Sequence, residues 1–179
     1  MNVNTNSSDI LPAEGNKLLL VVRHAKSSWD TGTLNDFERP LNDRGKRDAP
    51  AMAQRLLQRK ITVDAFVSSP AKRAKKTAEL FCDTYGKSLE SILYMSMLYH
   101  AEHDIFYQVV EQLDDSLNTV AIFSHNPGIT DFVNTLTDDQ VIHNMPTCSV
   151  FVVQVPIKKW ADFKKAKKEF VFFDYPKLA

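Results

Sequence analysis

Apolar residues along this chain fall into two patterns that take turns. Short, largely apolar runs at Leu18–Val22, Val63–Val67, Asn118–Phe123 and Val150–Val155 read as strands, the first of them buried on both faces. Between them, apolar positions recur at helical spacing. Ala49, Met52, Ala53, Leu56 and Leu57 follow Asn42 and Asp43, either of which can cap a helix. Ala74, Ala78, Leu80 and Phe81 mark a helix from Ala71 to about Tyr85. Ile105, Val109 and Leu113 mark one from about Asp104 to Leu113, and Ile129, Phe132, Val133 and Leu136 a fourth. Leu89 to Met97 reads as a weaker strand with a turn, and Phe170 to Phe173 as a last strand. Strands alternating with helices predict an α/β fold, a three-layer α/β/α sandwich around a mostly parallel sheet. Right-handed crossovers would bring all carboxyl ends of the strands to one edge.

Ligands of such sheets sit just beyond those carboxyl ends, and three of them carry polar chemistry. The first runs into Arg23-His24, with Lys26 and Ser27 next. The second ends in Ser68-Ser69-Pro70 and leads to Arg73, and the third ends in Ser124-His125-Asn126. Ser69 is placed to be the N-cap and Pro70 the first helical residue. Arg73 then falls in the first helical turn, where a cation opposes the helix dipole unless an anion is bound nearby. Lys72, Lys75 and Lys76 read as a solvated helix face. The segment from Ser27 to Asn42 lacks clear periodicity and contains Trp29, Gly32, Asp36, Phe37, Glu38, Arg39 and Pro40. It is either one wall or lid of a site or a surface excursion tacked down by Trp29 and Phe37.

Composition narrows the partners. With 22 basic and 22 acidic residues among 179, the chain has no global field to draw nucleic acid or an anionic membrane, so any anion site must be a local concentration of charge. Residues 1–16 are polar and lack the basic start and apolar centre of a signal peptide; they read as a flexible lead-in to a single domain spanning 17–179. No apolar run reaches the length of a membrane span, and the cytoplasm is the default location. Cys82 and Cys148 are far apart and read as buried, reduced thiols. Lys158, Lys159, Lys164, Lys165, Lys167 and Lys168 interleave with Trp160 and Phe163, as in some single-strand binders. A solvated lysine face with Trp160 packed beneath it accounts for the same pattern and is preferred. His103 and His143 have no ligand-like spacing, so no metal is assigned, and no cofactor is implied.

If the three strand ends are neighbours, two histidines and two arginines meet in one cleft. Guanidinium groups pair with phosphate oxygens through two parallel hydrogen bonds, and a neutral imidazole can attack phosphorus. There is no Walker loop and no carboxylate metal cluster, so the nucleophile would come from the protein itself, as a phosphorylated histidine.

Arg23-His24-Ala25 resembles the RHG-type signature of the histidine phosphatase superfamily, and the chain is most similar to its small SixA-type phosphohistidine phosphatases. Arg39-Pro40-Leu41-Asn42 with Arg44-Gly45, Ser68-Ser69-Pro70 with Arg73 and Thr77, Leu98-Tyr99, Ser124 to Gly128, and Pro146-Thr147 carry the resemblance from about Leu18 to Val155. It implies a phosphoglycerate mutase-like fold with His24 as the nucleophile, and Arg23, Arg73 and His125 as the rest of the phosphate pocket. Lys26, Ser27 and Asn126 join them by proximity alone as further phosphate ligands. Ala25 replaces the usual glycine, as is common in the SixA-like branch. Many relatives of this small type carry a glutamate directly after the Leu-Tyr pair, where this chain has His100. The general acid is then His100 or Glu102, or no strong acid is needed because the nitrogen of a phosphoramidate accepts a proton readily. The implied activity is hydrolysis of a phosphohistidine or a small phosphomonoester, the partner being a phosphorylated protein or a small phosphorylated metabolite. Two alternatives stand beside it: a non-catalytic binder of phospho-ligands on the same fold, and a phosphoglycerate-type mutase, for which this chain has few inserted residues.

Overall fold

The computed structural model describes residues 15–29, 35–138 and 140–178. The lead-in up to residue 14 and the centre of the 27–42 segment, Gly32 included, lie outside the described residues. The first apolar run becomes β1 (Lys17–Arg23), in the interior of a six-stranded sheet. On one side it pairs in parallel with β4 (Thr119–Ser124), which pairs in parallel with β2 (Ala65–Ser68), which pairs in parallel with the two-residue edge strand β3 (Leu93–Tyr94). On its other side β1 pairs antiparallel with β5 (Val150–Val155), and β6 (Glu169–Asp174) lies antiparallel to β5 at the far edge.

The sheet is thus parallel over β3-β2-β4-β1 and antiparallel beyond, which corrects the expectation that every strand ends at one edge. The reason lies in the connection before β5. An irregular segment climbs back to the edge where β1 ends, and there the Cys148 N–H donates to the carbonyls of Arg23 and His24. A chain that enters its strand from that edge has to run the opposite way.

Alternation along β1 divides the core in two. Leu18, Leu20 and Val22 pack with Met52, Leu56 and Phe81, on the side of helices α1 (Asp43–Gln58) and α2 (Lys72–Thr84). Leu19 and Val21 pack with Phe106 and Phe132 of α3 (His103–Glu111) and α4 (Gly128–Leu136), and with Trp160 and Phe163. Each such fully buried side chain contributes roughly 1.5–3 kcal/mol relative to exposure, and together they fix β1 against both helical layers.

Three local expectations change. The α1 cap is Asn42, whose side chain accepts from the Gly45 N–H at 2.9 Å, but α2 begins at Lys72 with Ala71 at the cap position. Ser69 and Pro70 precede that helix, because the Ser69 hydroxyl bonds the His125 ring at 2.8 Å and only reaches the Ala71 N–H at 3.3 Å. Residues 89–98 form a 3-10 turn, β3 and a second 3-10 turn in place of one strand. In the lysine-rich stretch Trp160 and Phe163 are fully buried, so no aromatic platform faces solvent between the lysines. Cys82 and Cys148 are buried free thiols. Among the described residues no helix is long and apolar enough to cross a membrane.

Candidate active site

Because β2, β4 and β1 are adjacent and parallel, their three polar ends fall side by side. The ladder pairs Arg23 with Ser124 and Ser68 with Phe123, and it continues past the strands through His24 N–H to Ser124 O and Ser69 N–H to Phe123 O, both 3.0 Å. The His24 and His125 rings stand 5.1 Å apart, centroid to centroid. Thr77 locks α2 to the turn after β1: its hydroxyl accepts from the Ala25 N–H at 3.0 Å and donates to the Arg73 carbonyl at 2.7 Å. Gly45 is the residue that lets α1 approach this turn, since a Cβ there would sit 2.1 Å from the Lys26 carbonyl oxygen.

Both imidazoles are buried, His24 at 5% and His125 at 4% exposure. The Nδ1 of His24 lies 2.8 Å from the Ala25 carbonyl oxygen. A carbonyl only accepts, so the ring proton is on Nδ1 and the lone pair is on Nε2. The Arg73 Nε–H donates to that Nε2 at 3.3 Å. Burial first, and the charges of Arg73, Arg23 and Arg39 in addition, lower the His24 pKa to about 3 against the pull of the Ala25 contact. Burial, with His24 and Arg73 adding to it, lowers that of His125 to about 2. Near neutral pH both rings are uncharged.

The positive charge comes from three guanidinium groups. Arg23 donates through Nη1 to the Met145 carbonyl, and Arg73 is 3% exposed. The third is Arg39, to which the motif pattern assigns no role at the site. It is buried, its guanidinium lies 3.6 Å over the Trp29 ring, and its field reaches both histidines. The Nε of Arg23, the Nε of Arg39 and the Nδ1 of His125 are buried without a protein hydrogen-bond partner among the described residues. Unsatisfied buried nitrogens at this density are what a bound oxyanion would pair with.

Asp36 is the second residue that sequence reasoning passed over. Its Oδ2 accepts from Arg73 Nη2 at 2.9 Å and from the Tyr99 hydroxyl at 2.9 Å, its carbonyl accepts from Arg73 Nη1, and its Oδ1 lies 3.2 Å from Arg39 Nη2. Partial burial pushes the Asp36 carboxyl up, but hydrogen bonds from Tyr99 and Arg73 and the charges of Arg73 and Arg39 outweigh it and hold the group below the usual carboxylate range. The only signal in the sequence was the charged cluster inside the 27–42 segment, which residues 35–42 now show to be a wall of the site.

The remaining predicted residues scatter. Ser27 is buried and bridges to Leu41, while Lys26 serves through its backbone carbonyl, which accepts from the Asn42 N–H at 3.0 Å. Asn126 spends its amide on Asn144, Met145 and Thr130, and it shares the Met145 carbonyl with Arg23 Nη1. His100 lies 3.9 Å from Asp36 Oδ2 and adopts a positive φ of 54°. With Glu102, His125 and Asn126 it lines a cavity of about 370 Å³ beside the histidine pair. Gly128 opens α4 against this wall, where a Cβ would sit 1.7 Å from the Ala101 carbonyl oxygen. His103 neighbours Asp104, and no group of three or more potential metal ligands occurs among the described residues.

Comparison with known proteins bears on the fold. The chain is 28% identical over 166 residues to an uncharacterized protein of Mycobacterium tuberculosis, a match covering 87% of this chain and 100% of that one. It is 24% identical over 152 residues to an uncharacterized chloroplastic protein of Arabidopsis thaliana, covering 80% and 69%. Among solved structures, the protein histidine phosphatase SixA complexed with tungstate superposes with a TM-score of 0.76 at 20% identity, covering 89% of this chain and 97% of that one. SixA from Agrobacterium tumefaciens gives 0.75 at 21% identity, covering 89% and 98%. A mycobacterial glucosyl-3-phosphoglycerate phosphatase in complex with inorganic phosphate gives 0.63 at 15% identity, covering 91% and 100%. These structural likenesses speak for the fold. Residues 19–93 match the family described as histidine phosphatase superfamily (branch 1).

Proposed function

We propose that this protein is a phosphatase that hydrolyses a phosphohistidine or a small phosphomonoester through a phosphoryl group carried on His24. The observation that carries the reading is the fixed tautomer of His24: Nδ1–H bound to the Ala25 carbonyl, which leaves the lone pair on Nε2, where it accepts the Arg73 Nε–H at 3.3 Å until phosphorus takes it. In the first step Nε2 attacks phosphorus and the bond to the leaving oxygen or nitrogen breaks. The leaving atom takes a proton, and Arg23, Arg39 and Arg73 hold the phosphoryl oxygens. With the Ser69 hydroxyl donating to His125 Nε2, the Nδ1–H of His125 is available to a fourth contact. Water then attacks the phosphorylated His24 and returns inorganic phosphate and the free imidazole.

The candidates for proton donor are His100 and Glu102. His100 and Glu102 face the cavity beside His125, whereas Asp36 is held ionised and is a poor acid. A leaving nitrogen needs less help than an alkoxide, so this set of groups suits a phosphoramidate, and the tungstate complex of the SixA neighbour is consistent with a pocket for tetrahedral oxyanions. The test compares the native chain with His24→Ala on p-nitrophenyl phosphate and a phosphohistidine peptide, with rapid quenching. Native protein is expected to turn over at least one of them and to trap an acid-labile, alkali-stable phosphoryl group that the variant lacks. Equal turnover by the variant refutes the reading. Phosphate binding without turnover of either substrate would instead identify a binder of phospho-ligands.

A further inference from the structure

Asp36 occupies the place where the site's charge is decided. Three guanidiniums, those of Arg23, Arg39 and Arg73, act on two neutral imidazoles, and Asp36 is the carboxylate paired with two of the three. Arg73 commits Nη1 to the Asp36 carbonyl, Nη2 to its carboxylate and Nε to His24, so the plane of this guanidinium is fixed from both ends. Arg39 is fixed likewise, with Nη2 on the Asp36 Oδ1 and its flat face on Trp29, while its buried Nε stays unpartnered. Asp36 is itself held by the Tyr99 hydroxyl. Its neighbour Phe37 meets the Tyr99 ring edge-on at 5.1 Å and accepts the Lys72 N–H on its carbonyl at 2.9 Å. A carboxylate anchored on two sides does not swing out when a ligand arrives.

We infer that Asp36 is a built-in counter-anion and positioning residue of the phosphate pocket: it orients Arg73 and Arg39, and its charge holds down the affinity for phosphate so that the product leaves. The inference rests on the reading of the cleft as a phosphate site. Without the carboxylate the cluster would carry three uncompensated positive charges in a largely buried place. A phosphate dianion would then bind more tightly, because repulsion from the carboxylate is removed while attraction to the guanidiniums remains. Asp36 acts through the arginines and by charge; it transfers no proton and forms no bond to phosphorus.

The test is equilibrium binding of inorganic phosphate at fixed ionic strength to the native chain, Asp36→Asn and Asp36→Glu. The asparagine keeps an acceptor for Arg73 and Tyr99 but loses the charge, and its phosphate affinity should rise about tenfold. Its KM for the turned-over substrate should fall in step while kcat does not rise. Asp36→Glu, which restores the charge, should return the affinity toward the native value. Asp36→Ser, smaller and uncharged, replaces the asparagine if that variant does not fold and should shift the affinity the same way. Native protein that binds phosphate, with an asparagine variant that binds it no tighter, overturns the counter-anion role alone. Native protein that binds no phosphate at millimolar concentration overturns the phosphate site and this inference together.

Discussion

The Nε–H of Arg73 meets the Nε2 of His24 at 3.3 Å, so a guanidinium donor rests on the one imidazole nitrogen that carries a lone pair. The contact does two things. It holds the nucleophilic nitrogen in place before a ligand arrives, and it puts a positive charge beside that nitrogen which disfavours its protonation. When phosphorus takes the lone pair, the same N–H becomes a donor for a phosphoryl oxygen.

Arg73→Lys should therefore lower kcat/KM by about a hundredfold or more, because one ammonium cannot serve His24 and the Asp36 carboxylate together as the fork does. Thermal unfolding of the variant should change far less than its turnover. Steady-state kinetics beside a melting curve would check both.

A pH profile should show no loss from His24 near its ordinary value. Its pKa is lowered to about 3 and that of His125 to about 2, so both stay neutral through the mildly acidic range. Once rates are corrected for the fraction of dianionic substrate, kcat/KM is expected to be level from pH 7 down to about 5. A limb near 6.5 in the corrected profile would show that burial and the charges of the three arginines depress protonation of His24 much less than the geometry implies.

The same shifts make folding sensitive to acid. A histidine that is neutral when folded and titrates near 6.5 when unfolded gives the unfolded chain more bound protons below that value, so stability is complete above about 6.5 and declines as pH falls toward 3. Each histidine should contribute up to about a tenfold drop in the folding constant per pH unit across that window. His24→Gln should remove its own share of the slope, which urea titrations at several pH values would measure.

Gly128→Ala should damage site and fold together. The added Cβ would lie 1.7 Å from the Ala101 oxygen and 2.9 Å from the Ala101 carbonyl carbon, backbone atoms that cannot rotate away. The start of α4 and the 100–102 segment would have to separate, moving His125 against His100. A stability loss of roughly 1–3 kcal/mol is expected, with a fall in kcat/KM that persists well below the melting temperature. Native kinetics in a folded variant would show that this wall has no part in the chemistry.

How far the chain discloses itself before folding depends on whether the signal is local. The buried run of β1 and its stop at Arg23-His24 are local, as are the helical spacing of α1 and the Asn42 cap, and all appear where the apolar pattern puts them. Ser69 shows the limit: Ser-Pro before a helix is a capping signal on its own, but His125 lies 56 residues away and takes the hydroxyl. β5 shows it again, since a buried apolar run does not record which edge of the sheet the chain enters from.

What the sequence by itself determined about this protein is the alternation of strands and helices and the residue types at three strand ends, because period, capping and buried runs act over a few neighbours. What only the tertiary structure decided is which polar groups touch. Asp36 and Arg39 belong to the cleft because residues 35–42 meet the start of α2 at Arg73, 37 residues after Asp36, and Asn126 is held in place because Asn144 and Met145 come back to meet it. Those pairings depend on loop paths and on competition among buried donors and acceptors, and no spacing along the chain encodes them.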